Sequence, residues 1–326
     1  MSERIVLGVD IGGTKVAAGL VDPGGQVLCS TRFPMTSPGS GAAAMACVHR
    51  AIEGAMEAAN GLSVSAIGVV SPGPLDVRTG VVLHTPNLPG WRNFELRAEI
   101  ERTYGKPTRL DNDANAAGLA EALWGAGHEY RHVLYVTIGT GIGTAIILDR
   151  SIYHGRTGAA AEGGHMAIDY RGAVRCGCGK RGCLEGMASG PAIAAAAREK
   201  AAADPERGRT LLARAGDGPE SITAETVVNA WRSGNALATE VIEGMIELLA
   251  VWFGNMIDVL EPDVIVIGGG VGTHITEAFP ILQQRLSAWS INTRAHEIPM
   301  VAARFGVDAG LVGSAALWFD EAAQPG

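Results

Sequence analysis

VLGVDIGGTKVAAGLVD, residues 6–22, joins two runs of β-branched residues through a turn that contains two adjacent glycines. A related stretch, VLYVTIGTGIGTAIILD, occupies residues 133–149, and seven positions coincide at a constant offset of 127. Two such stretches about one domain length apart predict a duplicated fold with a glycine turn in each copy. Chance similarity between glycine-rich turns is the alternative interpretation.

The sequence around these stretches alternates short β-branched runs with helical stretches, which is typical of an α/β fold. A chain of 326 residues is long enough for about two domains. We expect a smaller α/β lobe over residues 1–115, a larger lobe over 116–304, and a C-terminal helix at about 305–326 that packs back on the smaller lobe. Predicted strands cover residues 5–9, 16–21, 66–70, 133–137, 144–148 and 264–267, and predicted helices cover 42–60, 116–124 and 238–260.

Composition and charge exclude several classes of protein. Hydrophobic residues make up 47% and charged residues 18%, which is the composition of a packed globular chain. The formal net charge of −8 argues against a nucleic-acid surface and against an anionic membrane surface. The chain has no run of eighteen apolar residues and no cleavable leader, so we expect a cytoplasmic protein without membrane or nucleic-acid partners. The alanine-rich stretch 191–235 is expected to pack as helical scaffold.

The two glycine turns have uncovered backbone amides that can hold an anion. The first turn does not match a P-loop, and the second lacks the full dinucleotide fingerprint, because each leads into a strand. Either turn alone could be a plain hairpin, but one in each copy predicts a pair of phosphate-binding turns. The residues concerned are Asp10, Gly12, Gly13, Thr14 and Lys15 in the first turn, and Gly139, Thr140, Gly141 and Gly143 in the second.

Two further features fit a bound nucleotide. Asp10 ends an apolar strand, where a carboxylate is costly unless it is paired or near a cation, so Mg²⁺ on a nucleotide is a natural partner. A turn-capping role for Asp10 is the alternative. Gly269 and Gly270 follow the strand 264–267, at the sheet edge where α/β folds bind ligands, and a flat base can lie on them. Any tight strand-to-helix connection would also use such glycines.

The sequence Asp-Asn-Asp-Ala-Asn, residues 111–115, places polar side chains between a strand and a helix. Helix capping accounts for one of them. Amide and carboxylate groups together can bracket the hydroxyls of a polyol, and one carboxylate can take the proton of a reacting hydroxyl during phosphoryl transfer. We therefore expect a substrate site here.

One histidine and three cysteines predict a metal site. His165 precedes Cys176, Cys178 and Cys183, which lie within eight positions. This set can close a tetrahedral shell around Zn²⁺ and leaves no open position, so the predicted zinc is structural. Glu162 and Glu185 flank the set, either as functional carboxylates or as solvated loop residues.

These motifs resemble the ROK family of bacterial sugar kinases over essentially the whole chain, and glucokinases within that family in particular. The cysteine cluster, ten residues after Glu-x-Gly-His, is the most specific mark of the resemblance. It implies an α/β, two-lobed actin-like or hexokinase-like (ribonuclease H-like) ATPase fold with a duplicated core and a zinc knuckle. Asp111 stands where glutamate is frequent in the family.

The resemblance also implies roles for individual residues. Asp113 is expected to be the catalytic base. Two loops, at 71–74 and 87–91, resemble sugar-side loops of the family. The residues expected to contact the sugar are Gly73, Asn87, Asn112, Asp113, Glu162, His165 and Glu185.

The activity expected from this resemblance is transfer of the γ-phosphoryl of ATP to the 6-hydroxyl of glucose, with Mg²⁺ and structural Zn²⁺, in a homodimer or higher homo-oligomer. Alternative acceptors are N-acetylglucosamine, N-acetylmannosamine, mannose and fructose, and polyphosphate is an alternative donor. A non-catalytic sugar sensor is disfavoured by the presence of Asp113. A DNA-binding repressor is disfavoured because nine residues precede Asp10 and the chain is acidic. A filament-forming ATPase would not need the zinc motif.

Overall fold

The structure is a computed structural model that describes residues 4–85, 87–216 and 218–320. The strands are β1 (Ile5–Ile11), β2 (Lys15–Val21), β3 (Val27–Pro34), β4 (Val64–Ser71), β5 (Leu75–Asp76), β6 (Val81–His84), β7 (Arg92–Phe94), β8 (Thr108–Asn112), β9 (Val133–Ile138), β10 (Ile142–Leu148), β11 (Ser151–Ile152), β12 (Val264–Gly268) and β13 (Met300–Ala302). The helices are α1 (Gly41–Ala58), α2 (Leu96–Tyr104), α3 (Asp113–Trp124), α4 (Glu185–Ala188), α5 (Gly190–Ala203), α6 (Pro205–Ala215), α7 (Ala224–Arg232), α8 (Ala236–Leu260), α9 (Gly269–Gly272), α10 (Phe279–Leu286) and α11 (Ala309–Ala316).

The two large sheets have the same strand order. The first is β3-β2-β1-β4-β8 and the second is β11-β10-β9-β12-β13, while a third, small sheet has the order β5-β6-β7. In each large sheet the strand before the glycine turn is central, with its hairpin partner on one side and a later strand of the chain on the other. This shared order confirms the predicted duplicated α/β core.

The six strands predicted from the sequence are all present, each extended by one to three residues. Two elements that are longer than predicted change the position of candidate site residues. Strand β1 continues through Asp10 to Ile11, so Asp10 lies within the strand and not after it. The helix predicted to begin at residue 116 begins at Asp113, so the polar cluster at 111–115 straddles the end of β8 and the start of α3.

Contacts divide the chain into two compact units, and the first contains residues 1–135, 145–161 and 304–326. Helix α1 packs against β2 and β3, and α11 packs against β1 and β4. Trp91 is fully buried in the core of this unit and donates its indole N–H to the carbonyl of Gly41 at 3.1 Å. Of the C-terminal helix predicted at about 305–326, the part after residue 320 lies outside the described residues.

Two glycines allow α11 to lie directly on the first sheet. Gly8 in β1 pairs with Gly68 in β4. A Cβ atom on Gly68 would be 1.8 Å from the carbonyl oxygen of Ser314, and one on Gly8 would be 2.4 Å from that of Leu311. The helix backbone therefore occupies the space that any side chain at these two positions would need.

The second unit contains residues 136–144 and 162–303. Its longest helix, α8, has 25 residues and packs against α5, α7 and α10. Strand β12 is buried at every position. Among the described helices, none combines the length and the apolar character that a membrane span requires. The predicted lobes over 1–115 and 116–304 remain a prediction.

Because α11 lies so close to β4, we expect that adding a single methyl group at Gly68 strongly destabilises the fold. We expect Gly68→Ala to lower the free energy of unfolding by about 2 kcal/mol or more, because the backbone of α11 must move. The melting temperature should fall by roughly 5 °C. Gly39→Ala is the control, since a Cβ at this exposed position meets no atom within 4 Å. Equal melting temperatures for the two variants would contradict this account of the packing.

Candidate active site

Three parallel strands of the first unit place their carboxyl ends at one edge of the sheet. Asp10 of β1 pairs with Val70 of β4, and Val70 pairs with Asp111 of β8. One residue further, Ser71 pairs with Asn112. The first glycine turn, the loop that carries Gly73, and the start of α3 therefore meet at this edge, which is where open α/β sheets bind ligands.

The first glycine turn is a tight hairpin between β1 and β2. The amide of Gly12 donates to the carbonyl of Lys15 at 2.9 Å. A Cβ on Gly13 would lie 2.9 Å from the Cβ of Asn87, so the turn and the predicted sugar-side loop are in contact within this unit. Thr14 and Lys15 are exposed.

Asn112 is the N-cap of α3. Its side-chain oxygen accepts from the amides of Ala114 at 2.8 Å and Asn115 at 3.4 Å. The side-chain amide of Asn112 lies 3.7 Å from the place that a Cβ on Gly73 would occupy. The side-chain oxygen of Asn112 accepts hydrogen bonds from the first amides of α3. The side-chain nitrogen is therefore the group of Asn112 that faces the Gly73 loop.

Asp113 is the first residue of α3 and is exposed. One of its carboxylate oxygens accepts from the amide of Ala114 at 2.9 Å. A carboxylate at a helix N-terminus is stabilised by the helix dipole and is ionised at neutral pH. It can therefore accept a proton from a substrate hydroxyl.

Asp111 and Asn115 have a different environment, since each is only 3% exposed. Asp111 accepts from the side-chain amide of Asn115 at 3.0 Å and from the backbone amide of Asn112 at 2.7 Å. Its second oxygen lies 2.6 Å from Nε2 of His154. The polyol site expected from the whole cluster at 111–115 thus narrows to Asn112 and Asp113, and Asp111 is not placed to act as the base.

Burial and, to a smaller extent, the negative charge of Asp113 raise the pKa of Asp10 to about 6, although Lys15 and Arg32 act in the opposite direction. The carboxylate of Asp113, at the start of α3, therefore opposes ionisation of Asp10, near the end of β1. A divalent cation would relieve this repulsion. Asp10 thus fits the predicted Mg²⁺ site.

The second glycine turn, between β9 and β10, has a similar internal hydrogen bond, from the amide of Gly139 to the carbonyl of Gly141 at 2.9 Å. Gly269 has φ +83°, and a Cβ there would be 2.4 Å from the carbonyl oxygen of Ile138. Only glycine fits this position. A Cβ on Gly139 would lie 3.9 Å from the amide nitrogen of Gly270, so the second glycine turn and the Gly269–Gly270 segment are neighbours in the second unit.

A cavity of about 520 Å³ opens beside these two segments. Its volume is in the range of small-molecule and cofactor sites. It is lined by Gly139, Thr140, Gly190, Pro191, Thr223, Ala224, Glu225, Val228, Asn229, Gly270, Val271 and His274. Residues at the start of α5 and in α7 form part of this cavity wall. They belong to the stretch 191–235, whose alanine-rich composition gave no signal of a cavity and whose scaffold role stays a prediction.

The predicted metal ligands come together in the second unit. One ligand atom from each of His165, Cys176, Cys178 and Cys183 lies within 4.8 Å of the others. The sulfurs of Cys178 and Cys183 are 3.8 Å apart, and Nδ1 of His165 is 3.7 Å from the sulfur of Cys176. A tetrahedral zinc ion with Zn–S bonds near 2.3 Å separates two sulfurs by about 3.8 Å. The cluster fits zinc.

Metal binding at these donors would be coupled to the release of a proton. Burial raises the pKa of the Cys176 thiol to about 12, so the metal-free thiol stays protonated at neutral pH. Zinc binds the thiolate and would release that proton. Nδ1 of His165 is the ring nitrogen that lies next to the sulfur of Cys176, so Nε2 is the ring nitrogen that would not bind the metal.

The metal cluster and the second glycine turn are linked through Glu185. One oxygen of Glu185 accepts from the backbone amide of Ile142 at 3.0 Å. The other lies 3.5 Å from the sulfur of Cys176 and 3.8 Å from Nδ1 of His165. Glu185 is thus not a solvated loop residue, whereas Glu162 is exposed.

Close backbone packing brings the histidine segment to the same turn. The amide of Gly163 donates to the hydroxyl of Thr144 at 2.9 Å, and a Cβ on Gly164 would be 2.0 Å from the carbonyl oxygen of Ile142. The chain from 163 to 165 therefore lies against the start of β10. Glu162, His165 and Glu185 are held near the second glycine turn by these contacts.

Comparison with known proteins identifies the class. A model of the ROK family matches residues 6–321. The glucokinase of Streptomyces coelicolor is 32% identical over 314 residues, which cover 96% of this chain and 97% of that protein. The N-acetylmannosamine kinase of Salmonella typhi is 30% identical over 311 residues, covering 95% and 97%.

Solved structures agree with the family assignment. A ROK family glucokinase from Streptomyces griseus, crystallised with glucose and AMPPNP, has a TM-score of 0.82 at 33% identity and covers 96% of this chain and 98% of its own. A ROK family transcriptional regulator has a TM-score of 0.81 at 27% identity and covers 97% of this chain and 78% of its own. The fold and these relatives define a sugar kinase. The chain belongs to the ROK family.

The raised pKa of Asp10 predicts a pH-dependent stability. The folded-state pKa of about 6 exceeds the ordinary value of 3.8, so stabilisation is greatest below pH 3.8 and is lost as the pH rises through 6. In magnesium-free buffer at pH 7.5, Asp10→Asn should therefore increase the free energy of unfolding by up to roughly 3 kcal/mol. The gain should vanish near pH 4.

Urea denaturation at both pH values measures this effect. Glu57→Gln, on the exposed side of α1, is the control and should leave the unfolding curve unchanged at either pH. An Asp10→Asn curve that follows the wild type at pH 7.5 would refute the assigned burial cost.

Zinc removal should destabilise the second unit. We expect Cys178→Ser to reduce bound zinc to well below one ion per chain, because a hydroxyl is a poor replacement for a thiolate ligand. The melting temperature should fall, since metal binding contributes to folding. Metal analysis and thermal denaturation test this, with Cys47→Ser as the control because Cys47 lies in α1, outside the cluster. Unchanged zinc content in Cys178→Ser would overturn the ligand assignment.

Proposed function

We propose that the protein transfers the γ-phosphoryl of ATP to the 6-hydroxyl of glucose. The observation that carries this proposal is the combination of Asn112 and Asp113 at the carboxyl edge of the first sheet with the nearby phosphate-type turn. The curated relatives that are glucokinases, and the Streptomyces griseus structure with glucose and AMPPNP, support the choice of substrates.

The nucleoside of ATP is proposed to occupy the 520 Å³ cavity of the second unit. Its walls combine glycine backbone at positions 139, 190 and 270 with the polar side chains of Glu225 and Asn229. Flat glycine surfaces suit a purine, and the polar groups suit ribose hydroxyls. A polyphosphate donor would not need such a cavity, so the cavity favours ATP.

The glycine turns are proposed to hold the phosphates. The amides of Gly12, Gly139 and Ile142 already donate within the protein. The backbone amides of Gly13 and Thr14 in the first turn, and of Thr140 and Gly141 in the second, are the ones proposed to donate to phosphate oxygens. Asp10 is the residue that would hold Mg²⁺, which neutralises charge on the β- and γ-phosphates during transfer. Gly13 must stay small because of its contact with Asn87.

Asp113 is proposed to be the catalytic base. As the 6-hydroxyl oxygen attacks the γ-phosphorus, the O–H bond breaks and the proton passes to the Asp113 carboxylate. ADP departs with the electrons of the broken P–O bond. Asp113 is exposed at the N-terminus of α3, so its carboxylate is accessible for this step.

The residues proposed to contact hydroxyls of the sugar are those expected from the sequence. They are Gly73, Asn87, Asn112, Asp113, Glu162, His165 and Glu185. With Nδ1 of His165 on the metal, Nε2 carries the proton and can donate to a sugar hydroxyl. The zinc ion itself would hold this geometry and would supply no activated water.

N-acetylmannosamine is the second candidate acceptor, because kinases of that sugar are about as similar in length and identity as the glucokinases. N-acetylglucosamine, mannose and fructose are further candidate acceptors. A non-catalytic sensor is disfavoured because the proposed base is present. A cytoplasmic location and a homodimer or higher homo-oligomer remain predictions.

A coupled assay over a panel of hexoses and donors tests the proposal. We expect the highest kcat/KM with glucose and ATP, and Asp113→Asn should lower kcat by about 100-fold or more while glucose still binds. Asp111→Asn is not a suitable control because Asp111 is structural. Glu57→Gln should retain wild-type kcat. A higher kcat/KM with an N-acetylated sugar would reassign the substrate, and normal turnover by Asp113→Asn would refute the assignment of the base.

A further inference from the structure

The pair formed by buried Asp111 and half-buried His154 has no role in the function proposed so far. The side chain of Asp111 is 5% exposed and that of His154 is 31% exposed, and the two are joined at 2.6 Å. His154 follows β11, in a stretch of chain with no regular structure, far from Asp111 in sequence. A buried carboxylate is costly without partners, so this contact needs a structural or functional reason.

Asp111 is held on three sides. His154 contacts one oxygen, and the other oxygen accepts from the backbone amide of Asn112 and the side-chain amide of Asn115. The hydrogen bond to the amide of Asn112 fixes the backbone where β8 ends. Asn112 then caps α3, and Asp113 is the first residue of that helix. A continuous series of hydrogen bonds thus runs from His154 to the residues proposed to contact sugar.

His154 is itself fixed to the rest of the first unit. Its carbonyl accepts from the amide of Ala160 at 3.2 Å, which closes the loop 154–160. A Cβ on Gly158 would be 2.9 Å from a methyl of Val77, so this loop lies against the segment that follows β5. The backbone of His154 is therefore anchored independently of Asp111, so the position from which the imidazole reaches Asp111 is set by the fold of this unit.

Several charged groups surround the pair. The hydrogen bond and charge of Asp111, together with Asp320, raise the pKa of His154 above its usual value, although burial acts in the opposite direction. Arg109 stacks on Trp318 at 4.5 Å and Asp320 accepts from Ser151 at 2.8 Å. The charged groups that line the two crevices around His154 are Asp76, Arg78, Arg97, Arg109, Asp111, Arg156 and Asp320.

We propose that Asp111 and His154 are a positioning pair, which sets the end of β8 so that Asn112 and Asp113 present their side chains to the sugar. Neither residue touches substrate in this scheme. The inference rests on the proposed function for the identity of the ligand, but the pair itself is defined by the contacts within the first unit.

Kinetics of His154 variants give the first test. His154→Ala should lower kcat/KM for the sugar by about 10- to 100-fold, because small displacements of reacting groups are costly, while the KM for ATP stays within about twofold. His154→Gln retains an N–H donor and should recover most of the loss. His296→Ala, at an exposed histidine of the second unit, is the control. Wild-type sugar kinetics in His154→Ala, or an equal rise in both KM values, would overturn the proposal.

A second test does not depend on activity. The stabilisation from a raised histidine pKa is fully present below pH 6.5 and is lost as the pH rises through the folded-state pKa. The melting temperature of the wild type should therefore exceed that of His154→Gln by more at pH 6 than at pH 9. NMR titration should also show a lower His154 pKa in Asp111→Asn.

The two tests separate the two possible failures. In one outcome no hexose is phosphorylated, but the pH-dependent stability and the NMR shift are found. The proposed function then fails. The pair of Asp111 and His154 remains as a structural contact, and its role in positioning sugar-binding residues is overturned. If phosphorylation is found and the His154 pKa is unchanged in Asp111→Asn, the pair is refuted while the kinase proposal stands.

Discussion

The parallel register of β1, β4 and β8 is the constraint on which the candidate site of the first unit depends. Asp10, Val70 and Asp111 lie side by side across these strands. The three strands are far apart in sequence, yet their carboxyl ends deliver a phosphate turn, a glycine loop and a helix start to one edge. A shift of one residue in any strand would turn its side chains to the opposite face and move its polar end away from the others.

Close backbone contacts at glycine fix the remaining geometry. Gly68 allows α11 to cover the first sheet, and Gly164 allows the histidine segment to lie on β10. In both places the neighbouring atom is a backbone oxygen, which cannot rotate away as a side chain can. The high glycine content of the chain therefore reflects, in part, required contacts between segments, and part of it forms the proposed ligand surfaces.

The cluster of His165, Cys176, Cys178 and Cys183 is a local sequence motif, but it is also linked to the second glycine turn. Four ligands within nineteen residues of sequence suffice to hold zinc, so their spacing alone predicts the site. The contact of Glu185 with the amide of Ile142 could not be predicted in this way, since it depends on how the knuckle packs against β10. Through this contact Glu185 links the cluster to the second glycine turn.

The amino-acid sequence by itself determined the duplicated α/β core, the two glycine turns, the histidine and cysteine cluster that fits zinc, and the cluster at 111–115. The core is visible as a repeated pattern, and each of the other features depends on residues close together along the chain. Within that cluster the sequence could not separate the exposed Asp113 from the buried Asp111. Only the tertiary structure decided that division, the partnership of Asp111 with His154, and the cavity wall formed by α7. The physical reason is that burial and long-range pairing depend on which segments pack together, and the alanine-rich helices and the isolated His154 have no local pattern that reveals their neighbours.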